Sequence, residues 1–160
     1  MWTVIDSPVG DLRIVVRDEA VNAIEFSPFR PPADGRPLGE HSDDDPVVVE
    51  TVRQLRAYFA RDLKEFDLPL APAGSTFQQL VWAELQRIGY GETASYGEVA
   101  GRLGMTNAAS RAVGLANGRN PIPIVIPCHR VIGANGTLTG YAGGIERKQT
   151  LLSLEQDALF

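Results

Sequence analysis

One apolar segment late in the chain restricts the fold strongly, because three prolines interrupt its seven residues, Pro121–Pro127. Proline cannot donate a hydrogen bond to a sheet ladder, so the segment is not predicted to be a central strand. We interpret it instead as a stiff extended run. Such a run would hold the residue that follows it, Cys128, in a fixed place.

Cys128 is the only cysteine among 160 residues, and the next residue, His129, is one of two histidines. A thiol beside an imidazole is a candidate activated nucleophile, since the thiolate is the reactive form. A lone cysteine between apolar residues is, however, often an inert buried side chain. Neighbouring side chains on a strand also point to opposite faces. These residues alone leave both interpretations open.

Composition limits the other possibilities. One cysteine cannot form an internal disulfide, which fits a reducing cytoplasm, and the first residues lack the pattern of a signal peptide. No apolar run approaches the roughly 20 residues that span a bilayer, so we expect no membrane association. Cys128, His41 and His129 are too few for a structural zinc site, and we expect no metal.

The charge is uneven along the chain. Net charge is −5, but residues 1–74 hold 8 basic and 14 acidic side chains, whereas residues 75–160 hold 7 and 6. The total argues against a broadly basic nucleic-acid binder, and any polyanionic partner is expected to meet the second half.

Three short β-rich runs open the chain and predict an antiparallel meander: Trp2–Ile5, Leu12–Val16 and Val21–Phe26. Leu12 and Ile14 alternate with Arg13, which predicts one covered face. Residues 28–45 predict a loop without an apolar packing stripe, with His41 solvated in it. Asp45-Pro46 then predicts a helix start. The apolar stripe of that helix is predicted from Val48, Val52, Leu55 and Phe59.

The second half is predicted to be mostly helical. Ser75 to Gln78 and Ser95 to Glu98 each match a capping box, which marks a helix start. Because Pro72-Ala73-Gly74 is a plausible linker, we place a β-rich domain at 1–74 and a helical domain at 75–160. The predicted fold class is α+β.

Two short helices joined by a glycine-containing turn outline a helix-turn-helix. The first starts at Ser95, and Asn107 is predicted to cap the second, from Ala108 to Ala116. The second helix carries small side chains, and Arg111 is its only long cationic residue. Small residues suit close approach to a DNA groove, but they equally suit close packing between helices.

Several motifs together resemble the O6-alkylguanine-DNA alkyltransferase family. They are Tyr96-Gly97-Glu98, Arg111-Ala112-Val113-Gly114, Ala116-Asn117, Pro127-Cys128-His129-Arg130-Val131, Tyr141-Ala142-Gly143-Gly144 and Leu151-Leu152-Ser153-Leu154-Glu155. They occur in the family's order over about half of the chain, and as a set they are specific. The resemblance implies DNA repair by irreversible, stoichiometric transfer of an alkyl group from O6-alkylguanine to Cys128. O4-alkylthymine remains an open second substrate.

The resemblance also implies catalytic roles. Cys128 accepts the alkyl group, His129 takes the thiol proton through a water, and Glu155 orients His129. Asn117 holds the bend before the active-site segment. Tyr96 lies near the 3′ phosphate of the flipped nucleotide, and its hydroxyl is a candidate proton source for O6.

Further residues are implied to contact DNA and the base. Arg111 enters the base stack, and the remaining DNA contacts are expected from Ser95, Tyr96, Ala112 and Gly114. The pocket for the base is expected from Cys128, Val131, Tyr141, Ala142 and Gly143. Ala142 stands where some relatives have serine, so any donor there must be backbone. No cofactor is implied, and the partner is double-stranded DNA carrying alkylated bases.

Two other functions would use part of the same set of residues. A cysteine hydrolase could use Cys128, His129 and Glu155, but it does not need a helix-turn-helix. A lesion-binding protein without chemistry is a known offshoot of the family in which the cysteine is replaced, and Cys128 is present here. The S-alkyl product has no carbonyl for water to attack, so we expect one reaction per molecule. We expect a monomer, with cooperative assembly on DNA left open.

Overall fold

The computed structural model of this chain describes residues 1–32, 35–138, 141 and 143–157. The chain forms two compact units, Met1–Ala73 and Gly74–Phe160. Among the described residues, no helix is long and apolar enough to cross a membrane.

The first unit contains an antiparallel sheet of three strands. Strands β1 (Trp2–Ile5), β2 (Leu12–Arg17) and β3 (Ala20–Phe26) pair in the order β1-β2-β3. Each pair is antiparallel, as expected of a meander. The sheet and the helices together confirm the predicted α+β class.

The expectation that β2 has only one covered face is wrong. All five residues from Leu12 to Val16 are buried. Arg13 donates to the carbonyl of Arg30 at 2.5 Å, and its guanidinium carbon lies 5.1 Å from the Phe29 ring centroid. Arg17 donates to the carbonyl of Pro37 at 3.0 Å. Residues of the predicted 28–45 loop therefore contact side chains of the central strand.

Helix α1 (Pro46–Phe59) starts where the sequence predicts. The Asp45 carboxylate accepts from the amides of Val47 and Val48, both at 3.1 Å, and this caps the helix. Its buried face is Val48, Thr51, Gln54, Leu55 and Tyr58. Val52 and Phe59, predicted to be in the stripe, are only half-buried. The buried face includes the polar residue Gln54 because the Gln54 carboxamide makes two 2.9 Å hydrogen bonds with the backbone of Asp67.

The second unit is mainly helical, with two very short strands. Its helices are α2 (Thr76–Leu85), α3 (Tyr96–Arg102), α4 (Ser110–Gly118) and α5 (Ile145–Asp157). Both predicted capping boxes are present, at Ser75–Gln78 and at Ser95–Glu98. Strands β4 (Ala94–Ser95) and β5 (Val131–Ile132) pair in parallel. This pairing joins the start of α3 to the segment that follows Cys128.

The second helix of the predicted helix-turn-helix, α4, starts later than predicted. Asn107–Ala109 form a turn of 3-10 helix, and α4 begins only at Ser110 without a side-chain cap. The Asn107 carboxamide oxygen instead accepts from the Ser110 hydroxyl at 3.1 Å. On α4, Val113, Ala116 and Asn117 are buried, so the opposite side is left exposed.

Candidate active site

The segment before Cys128 is a tight turn, and the prediction of an extended run is wrong. The amide of Ile126 donates to the carbonyl of Ile122 at 3.0 Å, and Ile124 has a φ of 74°. A β-branched residue in that region is strained, so surrounding contacts must hold the turn. Cys128 then begins a turn of 3-10 helix, Cys128–Arg130, and is 4% exposed.

Two buried asparagines fix this turn. The Asn120 carboxamide donates to the carbonyl of Ile126 at 2.8 Å, and its oxygen accepts from the amide of Ile122 at 3.0 Å. Asn117 on α4 donates to the carbonyl of Cys128 at 3.3 Å. The sequence singled out Asn117 but missed Asn120. The signal that could have found it is the Asn-Pro pair after a helix, which is typical of an Asx-turn.

Asn120→Ala is expected to lower the free energy of unfolding by about 1–3 kcal/mol, since it leaves the buried amide of Ile122 without an acceptor. Urea denaturation followed by circular dichroism measures the change. The matched control is Asn107→Ala in an exposed turn, where water can replace the lost bonds. Equal losses in the two variants would contradict a holding role for Asn120.

His129 is completely buried and is oriented by Glu155 on α5. Its Nε2 lies 2.7 Å from the Glu155 Oε2, so neutral His129 carries its hydrogen on Nε2. Its Nδ1 is buried and has no hydrogen-bond partner among the described residues. The imidazole therefore presents an unprotonated nitrogen that can accept a proton.

Electrostatics define the resting protonation of these groups. Burial raises the pKa of Cys128 to about 11, and hydrogen bonding from Asn120 and the charge of Lys148 oppose this only in part. Burial also lowers the pKa of His129, despite its contact with Glu155. For Glu155, burial alone would raise the pKa, but His129 and Arg130 outweigh it and lower the value to about 2. The resting site thus holds a neutral thiol, a neutral imidazole and an ionised carboxylate.

This arrangement can generate a thiolate in the course of a reaction. Loss of the Cys128 proton to His129 would form an imidazolium facing the Glu155 carboxylate, which stabilises that charge. Because a buried thiolate is costly without compensation, the proton should move during the reaction rather than before it. The site is suited to one nucleophilic step by sulfur.

Lys148 on α5 is a buried cation that the sequence did not reveal. Its Nζ donates to the carbonyl of Val131 at 2.5 Å, and its charge favours the thiolate form of Cys128. The carbonyls of Cys128 and Val131 were both predicted to read a base. In this structure they accept hydrogen bonds from Asn117 and Lys148, respectively.

Of the other predicted pocket residues, Tyr141 is the one that influences the thiol among those that the structure describes. Tyr141 is 8% exposed, and its side chain acts to lower the pKa of Cys128, against the larger effect of burial. Gly143 is half-buried and its carbonyl accepts from Arg147 at 3.3 Å. Ala142 lies outside the described residues.

The predicted DNA-contacting residues lie at the start of α3 and in the first half of α4. Arg111 and Ala112 are exposed on α4. A side-chain carbon added to Gly114 would lie 3.7 Å from the Tyr96 ring, which is an ordinary van der Waals contact, so this position of α4 lies beside Tyr96. The Ser95 hydroxyl is occupied in capping, because it accepts from the amide of Glu98 at 3.0 Å. Tyr96 is half-buried in the first turn of α3.

Fold and site together define a class: an α+β protein whose helical unit carries a buried cysteine, directly followed in the chain by the buried His129 that is paired with Glu155, and a helix of mostly small residues with one exposed side. The sequence model described as "6-O-methylguanine DNA methyltransferase, DNA binding domain" matches residues 76–157. The model described as "6-O-methylguanine DNA methyltransferase, ribonuclease-like domain" matches residues 1–72.

Individual relatives agree with these matches. A methylated-DNA–protein-cysteine methyltransferase of Mycolicibacterium paratuberculosis is 50% identical over 157 residues, which are 97% of this chain and 92% of the relative. One from Methanosarcina acetivorans is 46% identical over 154 residues, which are 96% of this chain and 97% of the relative. The chain therefore belongs to the 6-O-methylguanine DNA methyltransferase family.

Solved structures are similar over nearly the whole chain. The crystal structure of Mycobacterium tuberculosis O6-methylguanine methyltransferase has a TM-score of 0.85 and 47% identity, covering 98% of this chain and 93% of that one. The M. tuberculosis protein in complex with DNA has a TM-score of 0.84 and 46% identity, with the same coverage.

Proposed function

We propose that this chain repairs DNA by direct reversal, transferring an alkyl group from O6-alkylguanine to the sulfur of Cys128. It is a methylated-DNA–protein-cysteine methyltransferase. The observation that carries the assignment of residues is the relay itself. A buried thiol stands next to an imidazole whose Nε2 is bonded to Glu155 and whose Nδ1 is open to a proton.

The proposed reaction balances without a cofactor. Sulfur attacks the alkyl carbon, so an S–C bond forms while the bond from that carbon to O6 breaks. The thiol proton goes to Nδ1 of His129, through a water, and the Glu155 carboxylate stabilises the imidazolium. The guanine regains a proton, for which the Tyr96 hydroxyl is the candidate donor; exchange with water then returns a proton to Tyr96 and removes the one held by His129, so the proton count balances. The products are restored guanine and an S-alkylcysteine.

The alkylated nucleotide must leave the duplex, since no side chain can reach its O6 in line with the alkyl carbon inside the stack. Arg111 on the exposed side of α4 would fill the gap, and Tyr96 would help to turn the nucleotide. Ser95, Ala112 and Gly114 would lie against the DNA backbone and groove. Tyr141, Gly143 and Ala142, together with Val131, would surround the flipped base.

The partner is DNA, and we propose that the substrate form is a duplex carrying an alkylated base. The helical domain, 75–160, would bind it, because the exposed small-residue side of α4 belongs to this domain. We further propose that the protein acts as a monomer in the cytoplasm, where a single free cysteine is compatible with a reducing environment.

Incubation with a methylated duplex is expected to add the mass of one methyl group to the peptide that contains Cys128, in an amount equal to the protein and no more. An S-alkyl thioether offers water no electrophilic carbonyl, so nothing regenerates the thiol. Intact-mass spectrometry with peptide mapping measures both the site and the stoichiometry. Continued product formation would indicate a hydrolase, and unchanged mass with bound DNA would indicate a lesion-binding protein.

A further inference from the structure

A buried arginine that the proposed reaction does not use lies directly behind the relay. Arg130 is 6% exposed, and its Nε and Nη2 donate to the two oxygens of Glu155 at 2.8 and 3.0 Å. Its Nη1 donates to the carbonyl of Ile88 at 2.6 Å. The guanidinium carbon also lies 5.8 Å from the centroid of the Tyr90 ring. Arg130 is thus held on three sides, with its charge against the far side of the carboxylate.

The Glu155 Oε2 is shared, because it accepts from Arg130 and also lies 2.7 Å from Nε2 of His129. Without the arginine, a carboxylate this deeply buried beside an imidazole would attract an additional proton to the pair. If His129 held that proton, both of its ring nitrogens would carry hydrogens. If Glu155 held it and donated to Nε2, the neutral ring would carry its hydrogen on Nδ1. Either way, Nδ1 could no longer accept the thiol proton.

We propose that Arg130 is a positioning residue that excludes this additional proton from the His129–Glu155 pair and so keeps Nδ1 of His129 a proton acceptor near neutral pH. The proposal rests on the relay described under the proposed function. It gives a physical reason for an arginine at this place: the carboxylate can orient the imidazole without protonating it.

The other charged groups around His129 act in the same direction or are balanced. Lys148 on α5 is buried, and its positive charge also disfavours a protonated imidazole. Cys128, on the same turn as His129, is neutral at rest because burial raises its pKa. Glu84 on α2 is paired with Arg87 at 3.7 Å. Glu155 is therefore the group that favours a protonated His129, and Arg130 is the cation bonded to it.

The first test uses the unchanged chain. Nitrogen-15 NMR of the two histidines, assigned with a His41→Gln variant, reports which ring nitrogens of His129 carry hydrogens. We expect Nε2 protonated and Nδ1 bare from about pH 6 to 8, since the pKa of His129 is lowered. A second hydrogen on His129, or one on Nδ1, at about pH 7 would overturn the proposal, and no variant needs to fold for this result.

The second test compares variants in single-turnover transfer from methylated duplex across pH. Arg130→Gln removes the charge, so the low-pH side of the rate profile should move up by about one pH unit or more. Transfer should then be slow at neutral pH and recover in alkaline solution. Arg130→Lys keeps the charge and should stay near the wild-type profile. A loss that is equal at every pH, or equal in the Gln and Lys variants, would mean that Arg130 only supports the fold.

Arg53→Gln is the matched control, because Arg53 also pairs with a glutamate through two nitrogens. It donates to Glu50 at 2.9 and 2.5 Å, but on an exposed face of α1. Its profile should not move. The failures are distinguishable: if Arg130 has no effect while methyl transfer to Cys128 proceeds, only this inference is lost. If wild-type protein transfers nothing, the proposed function is lost.

Discussion

Cys128→Ala is expected to abolish alkyl transfer while binding to alkylated duplex DNA stays nearly unchanged. Cys128 is the only cysteine in the chain, so no other thiol can accept the group. The thiol is 4% exposed and contributes little surface to a DNA contact. Transfer is measured as loss of radiolabelled methyl from the duplex, and binding by fluorescence anisotropy with the same duplex at fixed salt.

Cys128→Ser is the stricter control for this prediction. It keeps the branching and approximate shape of the side chain, but a hydroxyl in this buried position loses its proton much less readily than a thiol. It should bind DNA as the alanine variant does and transfer nothing on the timescale of the wild-type reaction. Restored guanine with either variant would remove Cys128 from its proposed role.

Local signals in the sequence predicted the helix starts well. Each helix start is capped by a side chain that accepts from a backbone amide two or three residues later; the capping residues are Asp45, Ser75 and Ser95. Because both partners lie in one short stretch, the sequence pattern is enough to predict the cap. Asn107 shows the limit of this reasoning. Its side chain binds Ser110, and a turn of 3-10 helix displaces the start of α4 by two residues from the predicted Ala108.

The contacts that complete the candidate site are distant in sequence, and the residues alone did not predict them. Arg130 reaches back 42 positions to Ile88 and forward 25 to Glu155, while Lys148 reaches back 17 to Val131. Long charged side chains ordinarily indicate a solvated surface, since burial of an unpaired charge is costly. Only the packing of α5 against the Cys128 turn shows that partners are available.

The run from Pro121 to Pro127 was misjudged for a related reason. Its prolines correctly exclude a central strand, but they do not distinguish an extended run from a turn. The difference lies in Asn120, whose side chain replaces backbone hydrogen bonds, and in Ile124, which adopts a positive φ that its residue type disfavours. A strained residue held by a buried network is a property of the folded unit, so propensity predicted the wrong conformation.

Arg111→Ala is expected to lower transfer from duplex DNA by about two orders of magnitude while transfer from free O6-benzylguanine stays almost unchanged. If Arg111 fills the vacated stack, it stabilises the extruded nucleotide. Its loss should then raise the activation free energy of the duplex reaction by a few kcal/mol, the cost of extrusion. The free base needs no extrusion, and Arg111 is exposed on α4 whereas the thiol is buried. Single-turnover rates with the two substrates measure the ratio.

Two variants separate stacking from simple attraction to phosphate. Arg111→Lys keeps the charge but lacks the planar guanidinium, so it should recover only part of the duplex rate. Arg119→Ala removes an exposed arginine at the other end of the same helix and should affect the duplex rate only modestly. Arg111 would be a general phosphate contact if lysine restored the rate fully or if the Arg119 variant lost as much. It would be a structural residue if both substrates slowed together, because extrusion is absent from one of the two reactions.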